Sequence, residues 1–200
     1  MKVDPATVDT TTVYSTMIRA INPRPIAWVS TCSSAGVSNL APFSYFSGVG
    51  SQPASLMFSV VNLPDGTLKD TMRNINDNGQ FVVNVVNFDL APAMQLTSQS
   101  FDFDINEFAE AGLTEIPSER IAPPRVAESP IQFECERIQV VNIGEGEQAA
   151  NVVIGKILLM HIDDQVLDEQ GKIAPEKLDT IGRMGGREYC RTLDRFIPAT

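Results

Sequence analysis

The sequence predicts one mostly β domain with two or three helices, and three observations lead to this prediction. Short apolar and β-branched runs recur between turn residues, at Ile26–Cys32, Ala54–Val61 and Phe81–Val86. Two longer runs, Ile131–Ile143 and Asn151–Ile162, are separated by a glycine-bearing turn, which indicates antiparallel hairpins. A chain of 200 residues, 43% of them hydrophobic, can bury one sizeable core, and we expect residues 1–200 to form a single domain.

Helices are expected at three places along the chain. Leu68–Asn78 has helical spacing and a capping residue at its start, and Gly79 ends it. Leu90–Ser98 has apolar residues on one side, and Asn106–Ala111 is expected to form a short helix. That short helix interrupts a long acidic and proline-rich connection over 101–130.

Two segments lack a regular pattern. Residues 1–20 are polar and rich in Thr, and we expect an extended N-terminal arm that pairs at a sheet edge or packs on a partner. Val37–Gly50 mixes Asn, Pro, Ser and Gly with the aromatic residues Phe43, Tyr45 and Phe46, which suits neither a plain strand nor a helix. Irregular backbone beside aromatic side chains is typical of a functional site.

Composition excludes several classes of function. The net charge of −10 disfavours nucleic acid, whose recognition depends on basic surface. No signal peptide and no apolar stretch long enough to cross a membrane is visible, so we expect a cytoplasmic protein without a membrane partner. Cys32, Cys135 and Cys190 are widely spaced, which predicts reduced thiols, and with one His no metal site is expected.

Several motifs are better explained by structure than by chemistry. Gly144–Ala149 matches a dinucleotide-binding pattern, but the strand-like Val152–Ile154 follows it where a helix is required, so a hairpin turn is predicted. Ser51, Cys32 and His161 have no partner visible in the sequence that would activate or orient them. We therefore assign no catalytic side chain from the sequence.

The strongest chemical signal is a set of anion-binding groups from three segments. They are Ser30 and Thr31 at a strand end, Asn39, Ala41 and Ser44 in the irregular segment, and Lys69, Asp70 and Thr71 at a helix start. A helix N-terminus offers unpaired N–H donors and a partial positive charge, which suit a phosphate. Lys69 and Arg73 lie one helical turn apart, so they either reach the same anion or form a solvated helix face.

Six stretches between Asn22 and Tyr189 carry a family resemblance through their order and spacing. They are Arg24–Thr31, Gly36 with Ser38–Phe46, Lys69–Thr71 with Asn74–Ile75, Phe81–Asn84, Pro124–Pro130 and Arg183–Tyr189. On these residues the chain resembles the flavin reductase-like, FMN-binding split-barrel family, in its flavoredoxin-type branch. The resemblance implies a mostly β fold, namely a split β-barrel that binds FMN. The barrel would be antiparallel and Greek-key-like, with about six strands and flanking helices.

The resemblance also implies a cofactor and its ligands. It implies a homodimer with FMN, or FAD as the alternative, in a groove near the dimer interface, and NAD(P)H as the electron donor. By position, it implies cofactor-binding roles for Ser30, Thr31, Asn39, Leu40, Ala41, Ser44, Lys69, Thr71 and Arg183. Of these, Lys69 and Thr71 would contact the phosphate. Arg183 would either lie close to the isoalloxazine or form a surface ion pair beside a tight Gly185–Gly186 turn.

Three functions follow as hypotheses from the resemblance. The first is an NAD(P)H-dependent flavin reductase that transfers hydride to flavin N5 and feeds an oxygenase. The second is an electron carrier of flavoredoxin type, with tightly bound FMN and a redox-protein partner. The third, from a different class, is a ligand-binding barrel that has lost its flavin.

Overall fold

A large antiparallel sheet organises the computed structural model, which describes residues 1–103 and 105–199 and leaves Asp104 and Thr200 outside the description. The strands are β1 (Ala27–Cys32), β2 (Ser38–Phe43), β3 (Phe46–Ser51), β4 (Ala54–Val61), β5 (Gln80–Val85), β6 (Glu115–Ile116), β7 (Arg125–Val126), β8 (Ile131–Ile143), β9 (Ala150–Ile162), β10 (Ile181–Arg183) and β11 (Tyr189–Arg191). The helices are α1 (Thr10–Ala20), α2 (Asp70–Asn78), α3 (Ala91–Leu96), α4 (Glu107–Glu110) and α5 (Pro175–Leu178), with a 3₁₀ turn at Asp164–Val166.

The sheet curls because its two edge strands are joined directly. Its seven strands run in the order β2-β1-β5-β8-β9-β4-β3, so β2 and β3 are the outermost strands. Only Ser44 and Tyr45 connect them, and so short a link spans at most about 11 Å. The edges must therefore lie close together, which bends the sheet into an open barrel.

Strands β1 and β5 are buried on both faces and separate two cores. The inner core holds Phe43, Phe58 and Phe81, and helix α2 closes it by inserting Met72 and Ile75. The outer core lies beneath α3 and α4 and is formed by Ile26, Trp28, Leu40, Val86, Leu90, Met94, Phe108, Val126 and Ile181. Because alternate residues of a strand point to opposite faces, the near-continuous apolar runs of β1 and β5 serve both cores.

The N-terminal segment differs from the extended arm expected from the sequence. Residues 10–20 form helix α1, so that expectation is wrong for this stretch. Asp9 caps the helix by accepting the Thr12 N–H at 2.8 Å, and the Arg24 guanidinium donates to the carbonyls of Ile18 and Ile21, both at 2.6 Å. The last carbonyl groups of α1 accept hydrogen bonds from Arg24, which lies outside the helix. The sequence of residues 10–20 alone therefore does not reveal that this helix is stable.

The segment expected to be irregular is regular over most of its length. It forms β2 and β3, and the prediction of non-strand backbone is wrong there. Pro42 is tolerated because β2 is an edge strand, where one face of the ladder needs no N–H donor. A register shift between Gly48 and Gly50 marks a bulge in the other edge strand, β3.

Most other predicted elements are confirmed. Strands β4 and β8 have the predicted bounds, and Gly79 ends α2 in the left-handed conformation. The Gly144–Ala149 motif lies in the β8–β9 hairpin turn, not before a helix. No helix in the described part of the chain is long and apolar enough to span a membrane.

Candidate functional site

A groove runs along β2 at the junction of the two cores. It consists of two adjoining cavities, of about 190 and 120 Å³, which share Pro42, Phe43 and Ser98 in their walls. We call the first the arginine lobe, since Arg24 and Arg183 line it, and the second the helix lobe, since the start of α2 lines it. Together they form an elongated depression with one polar end at α2.

The helix lobe contains an open helix N-terminus. Lys69 occupies the N-cap position of α2 and forms no side-chain cap, although capping side chains are common there. The N–H groups of Asp70 and Thr71 have no acceptor among the described residues. With the Lys69 ammonium in the same wall, these donors form a binding place for a small anion.

A buried hydrogen-bond network supports this lobe from below. Asn39 Oδ1 accepts the hydroxyls of Thr71 at 3.0 Å and Thr31 at 3.2 Å, and Asn39 Nδ2 donates to Glu107 Oε1 at 2.9 Å. The network joins β1, β2, α2 and α4. Because the Thr71 hydroxyl proton is directed to Asn39, the group that Thr71 offers an anion is its backbone N–H and not its hydroxyl.

Two carboxyl groups in the helix lobe have perturbed pKa values. Burial raises the pKa of Glu107, against the hydrogen bonds from Asn39 and the Leu40 N–H, and the charge of Asp70 raises it further. Burial also raises the pKa of Asp70, against the opposing influence of Arg73 and Lys69. Such shifted carboxyl groups are common at functional sites.

The C-terminal hairpin β10–β11 contributes Arg183 and Tyr189 to the wall of the arginine lobe. Arg183 stacks on Tyr189, with its guanidinium carbon 4.5 Å from the ring centroid, and donates to the Gly186 carbonyl at 2.6 Å. Tyr189 in turn donates a hydrogen bond to Gln95 Oε1 at 2.8 Å.

Arg24 is the second guanidinium in this lobe and is only 4% exposed. It donates hydrogen bonds to Ser44 Oγ at 3.4 Å and to the Met184 carbonyl at 3.0 Å. The lobe therefore presents fixed guanidinium and aromatic planes.

The structure divides the predicted cofactor-binding residues into three groups. Asn39, Ala41, Lys69 and Thr71 line the helix lobe, and Ser44 and Arg183 line the arginine lobe. Thr31, Ser30 and Leu40 lie beneath the groove: Thr31 supports Asn39, Ser30 Oγ donates to the Pro124 carbonyl at 2.5 Å, and Leu40 is part of the outer core.

Sequence reasoning missed Glu107, which lines the helix lobe. In the sequence it is one acidic residue in an acidic connection, and nothing local distinguishes it. Its partner Asn39 lies 68 positions earlier in the chain, so only the docking of α4 on β2 brings the two together.

Comparisons with known proteins agree with this architecture. The family model described as "Flavin reductase like domain" matches residues 18–179. An uncharacterized protein of Aquifex aeolicus is 40% identical over 183 residues, which are 92% of this chain and 91% of that protein.

Among the solved structures that resemble this chain over its whole length are two proteins at 30% identity. Nitrilotriacetate monooxygenase component B from Bacillus cereus superposes with a TM-score of 0.94 at 30% identity, over 99% of this chain and 98% of that one. Pseudomonas fluorescens 2-nitrobenzoate 2-nitroreductase NbaA superposes with a TM-score of 0.89 at 30% identity, over 100% of this chain and 96% of that one. The split-barrel fold expected from the sequence is confirmed, with seven strands in the main sheet instead of about six.

Proposed function

Because this chain belongs to the flavin reductase like domain family, we propose that it is an NAD(P)H-dependent flavin reductase that holds FMN in the groove along β2. The family membership supports a flavin-related oxidoreductase activity. The identity of the flavin, the nicotinamide donor and the binding residues are our proposal.

The observation that carries the proposal is the open start of α2 at one end of an elongated groove. Two uncapped N–H groups and the Lys69 ammonium fit a phosphate monoester. The other end offers the Arg183–Tyr189 stack and Arg24, whose planar groups fit a flat ring system that carries carbonyl acceptors. FMN has a terminal phosphate and a planar ring, so the residues present fit this group.

The chain's own task is to bind and orient. When bound, the flavin supplies the hydride chemistry between NAD(P)H and an acceptor. Lys69 and the first turn of α2 hold the phosphate, and Asn39 and Ala41 line the helix lobe beside it. Pro42 and Phe43 line the junction of the lobes, and Ser44 and Arg183 border the ring. The buried hydrogen bonds of Asn39 and Arg24 keep these groups in place before the ligand arrives.

We further propose that an oxygenase component receives the reduced flavin. The Bacillus cereus protein that resembles this chain is itself named as a monooxygenase component. Purified protein should oxidise NADH or NADPH when free FMN is added, which absorbance of the nicotinamide reports. A protein that stays yellow, consumes neither nucleotide and accepts electrons from a reduced protein would instead be an electron carrier.

The phosphate assignment is tested by Lys69→Ala. A charge-assisted hydrogen bond contributes about 1.5–3 kcal/mol, so the variant should bind FMN about 10- to 100-fold more weakly. Riboflavin, which lacks the phosphate, should bind both proteins equally. Lys172→Ala, at an exposed position away from the groove, is the control and should bind FMN like the parent protein. Equal FMN affinity in Lys69→Ala would place the phosphate elsewhere.

A second candidate function is the direct reduction of a nitroaromatic compound. The similarity to the 2-nitrobenzoate 2-nitroreductase, at the same 30% identity as to the monooxygenase component, favours it. The FMN-loaded protein should then oxidise NAD(P)H faster when 2-nitrobenzoate is added under anaerobic conditions. An unchanged rate would exclude this activity and leave the reductase.

A further inference from the structure

Glu107 is a buried carboxyl group in the helix lobe that flavin chemistry does not require. Its residue is 6% exposed, and its two oxygens accept Asn39 Nδ2 at 2.9 Å and the Leu40 N–H at 3.0 Å. Both donors are neutral, and Glu107 forms no ion pair with any described residue. These two hydrogen bonds therefore offset only part of the free-energy cost of burying Glu107 in its ionised form.

The charged groups around Glu107 come from three elements. The start of helix α2 contributes Lys69, Asp70 and Arg73. Helix α4 contributes the exposed Glu110, and strand β6 contributes Glu115.

Several of these charged groups already have partners. Arg73 pairs with Asp70 at 3.5 Å and stacks on Phe103, and Glu115 accepts hydrogen bonds from Ser38 and Asn106. Asp104, just before α4, lies outside the described residues. Counting Glu107, these described groups comprise four carboxyl groups and two cations, so this end of the groove is not strongly positive.

We propose that Glu107 takes up a proton when the phosphate of the flavin enters the helix lobe. The inference rests on the proposed function, because it places that phosphate beside Lys69 and Thr71, in the lobe that Glu107 also lines. A doubly charged phosphate disfavours a second negative charge in its neighbourhood. A protonated carboxyl group gains an O–H that can donate to a phosphate oxygen, while both of its oxygens still accept from Asn39 and Leu40.

The direction of the pH dependence follows from linkage. Burial already raises the pKa of Glu107 in the protein without a ligand, and the phosphate raises this pKa again. A group with a higher pKa in the complex binds a proton when the complex forms. FMN affinity is then greatest below the pKa of the free protein and falls, by at most about tenfold per pH unit, as pH rises toward the pKa in the complex.

The test is a calorimetric titration with FMN and with riboflavin in two buffers of different protonation enthalpy. At pH 7 and above, where the phosphate of free FMN is mostly a dianion, FMN should bind with an uptake of up to about one proton, and riboflavin should not. Glu107→Gln should abolish this uptake. Because the phosphate's own pKa is near 6, it contributes little to the uptake at these pH values, and the uptake that Glu107→Gln removes is that of Glu107. Glu110→Gln, an exposed residue of the same helix, is the matched control and should keep the uptake.

Other outcomes separate this inference from the proposed function. FMN binding without proton uptake would overturn the role of Glu107 and leave the flavin site intact, whereas failure of both flavins to bind would overturn both. Uptake that persists in Glu107→Gln and disappears in Asp70→Asn would assign the proton to Asp70 and contradict the proposal.

An infrared measurement on the parent protein avoids any dependence on how well Glu107→Gln folds. FMN binding should add a carbonyl band of a protonated carboxyl group to the difference spectrum, and riboflavin binding should not. Absence of that band with FMN would overturn the proposal.

Discussion

Glu134 is a buried carboxylate that fastens the segment after β6 to strand β8. Its oxygens accept the N–H groups of Glu119 at 2.8 Å and Arg120 at 2.7 Å, and His161 Nε2 lies 2.7 Å away. Burial raises the pKa of Glu134, but these hydrogen bonds outweigh it and hold the pKa below its ordinary value. The ionised form therefore stabilises the fold, and His161, interpreted from the sequence as structural, takes part in this.

Glu134→Gln should lower the free energy of unfolding by about 2 kcal/mol or more. The reason is that the NH₂ group of the Gln side chain would face a backbone N–H, so a buried donor would lose its acceptor. Since the folded-state pKa is lowered, the stabilisation is present above the ordinary carboxyl pKa of about 4.3 and is lost as pH falls through the folded-state value. Urea unfolding at neutral and at acid pH measures both effects. Glu136→Gln, exposed on the same strand, should change little. Equal stability of the Glu134 variant at neutral pH would refute the prediction.

Among the elements, strand β9 packs Gly155 directly against the Phe81 ring of the inner core. A Cβ there would lie 2.4 Å from Phe81 Cζ, and the fully buried Phe81 ring already packs 5.3 Å from the ring of Phe58. Gly155→Ala should therefore destabilise the protein by about 1–3 kcal/mol through overpacking. Gly48→Ala in edge strand β3, where a Cβ meets nothing within 4 Å, is the control. Similar midpoints of urea unfolding for both variants would show that the Phe81 ring moves aside without loss of stability, and would contradict the prediction.

The elements that the sequence predicted well carry their signal locally. Strands β4 and β8 are apolar or alternating runs bounded by turn residues, and their bounds follow from that pattern. Helix α1 and strand β2 depend on partners outside their own segments: Arg24 caps the helix, and strand β1 pairs with β2. Their amino-acid composition alone favours loops, so only the tertiary structure reveals them.

The same distinction applies to the candidate site. Lys69 and Thr71 were predictable because a helix N-terminus is recognisable from its own sequence. The groove that connects them to Arg183 requires residues 114 positions apart to meet, and no local pattern encodes this. The family resemblance supplied that connection, and Glu107 was missed because it is not among the residues that carry the resemblance.

For the whole molecule, exposed apolar surface beside the groove is the feature that a single chain leaves unexplained. Met57 and Ile21 are 39% and 51% exposed, and with Ser44 they line a cavity of about 330 Å³. Ser44 also lines the arginine lobe, so the two surfaces are continuous. Contiguous exposed apolar surface often marks a protein–protein contact. We therefore propose that a second copy of the chain covers this surface and completes the flavin groove.

Met57→Glu tests this proposed homodimer. Light scattering on a sizing column should give about twice the 21.8 kDa chain mass for the parent protein and the single-chain mass for the variant. The reason is that a carboxylate buried in an apolar contact is strongly unfavourable. Ile173→Glu, at another exposed apolar residue outside this cavity, should remain dimeric. If the dimer completes the groove, Met57→Glu should also bind FMN more weakly. A parent protein of single-chain mass would contradict the proposal, whereas a dimeric Met57→Glu would place the contact on another surface.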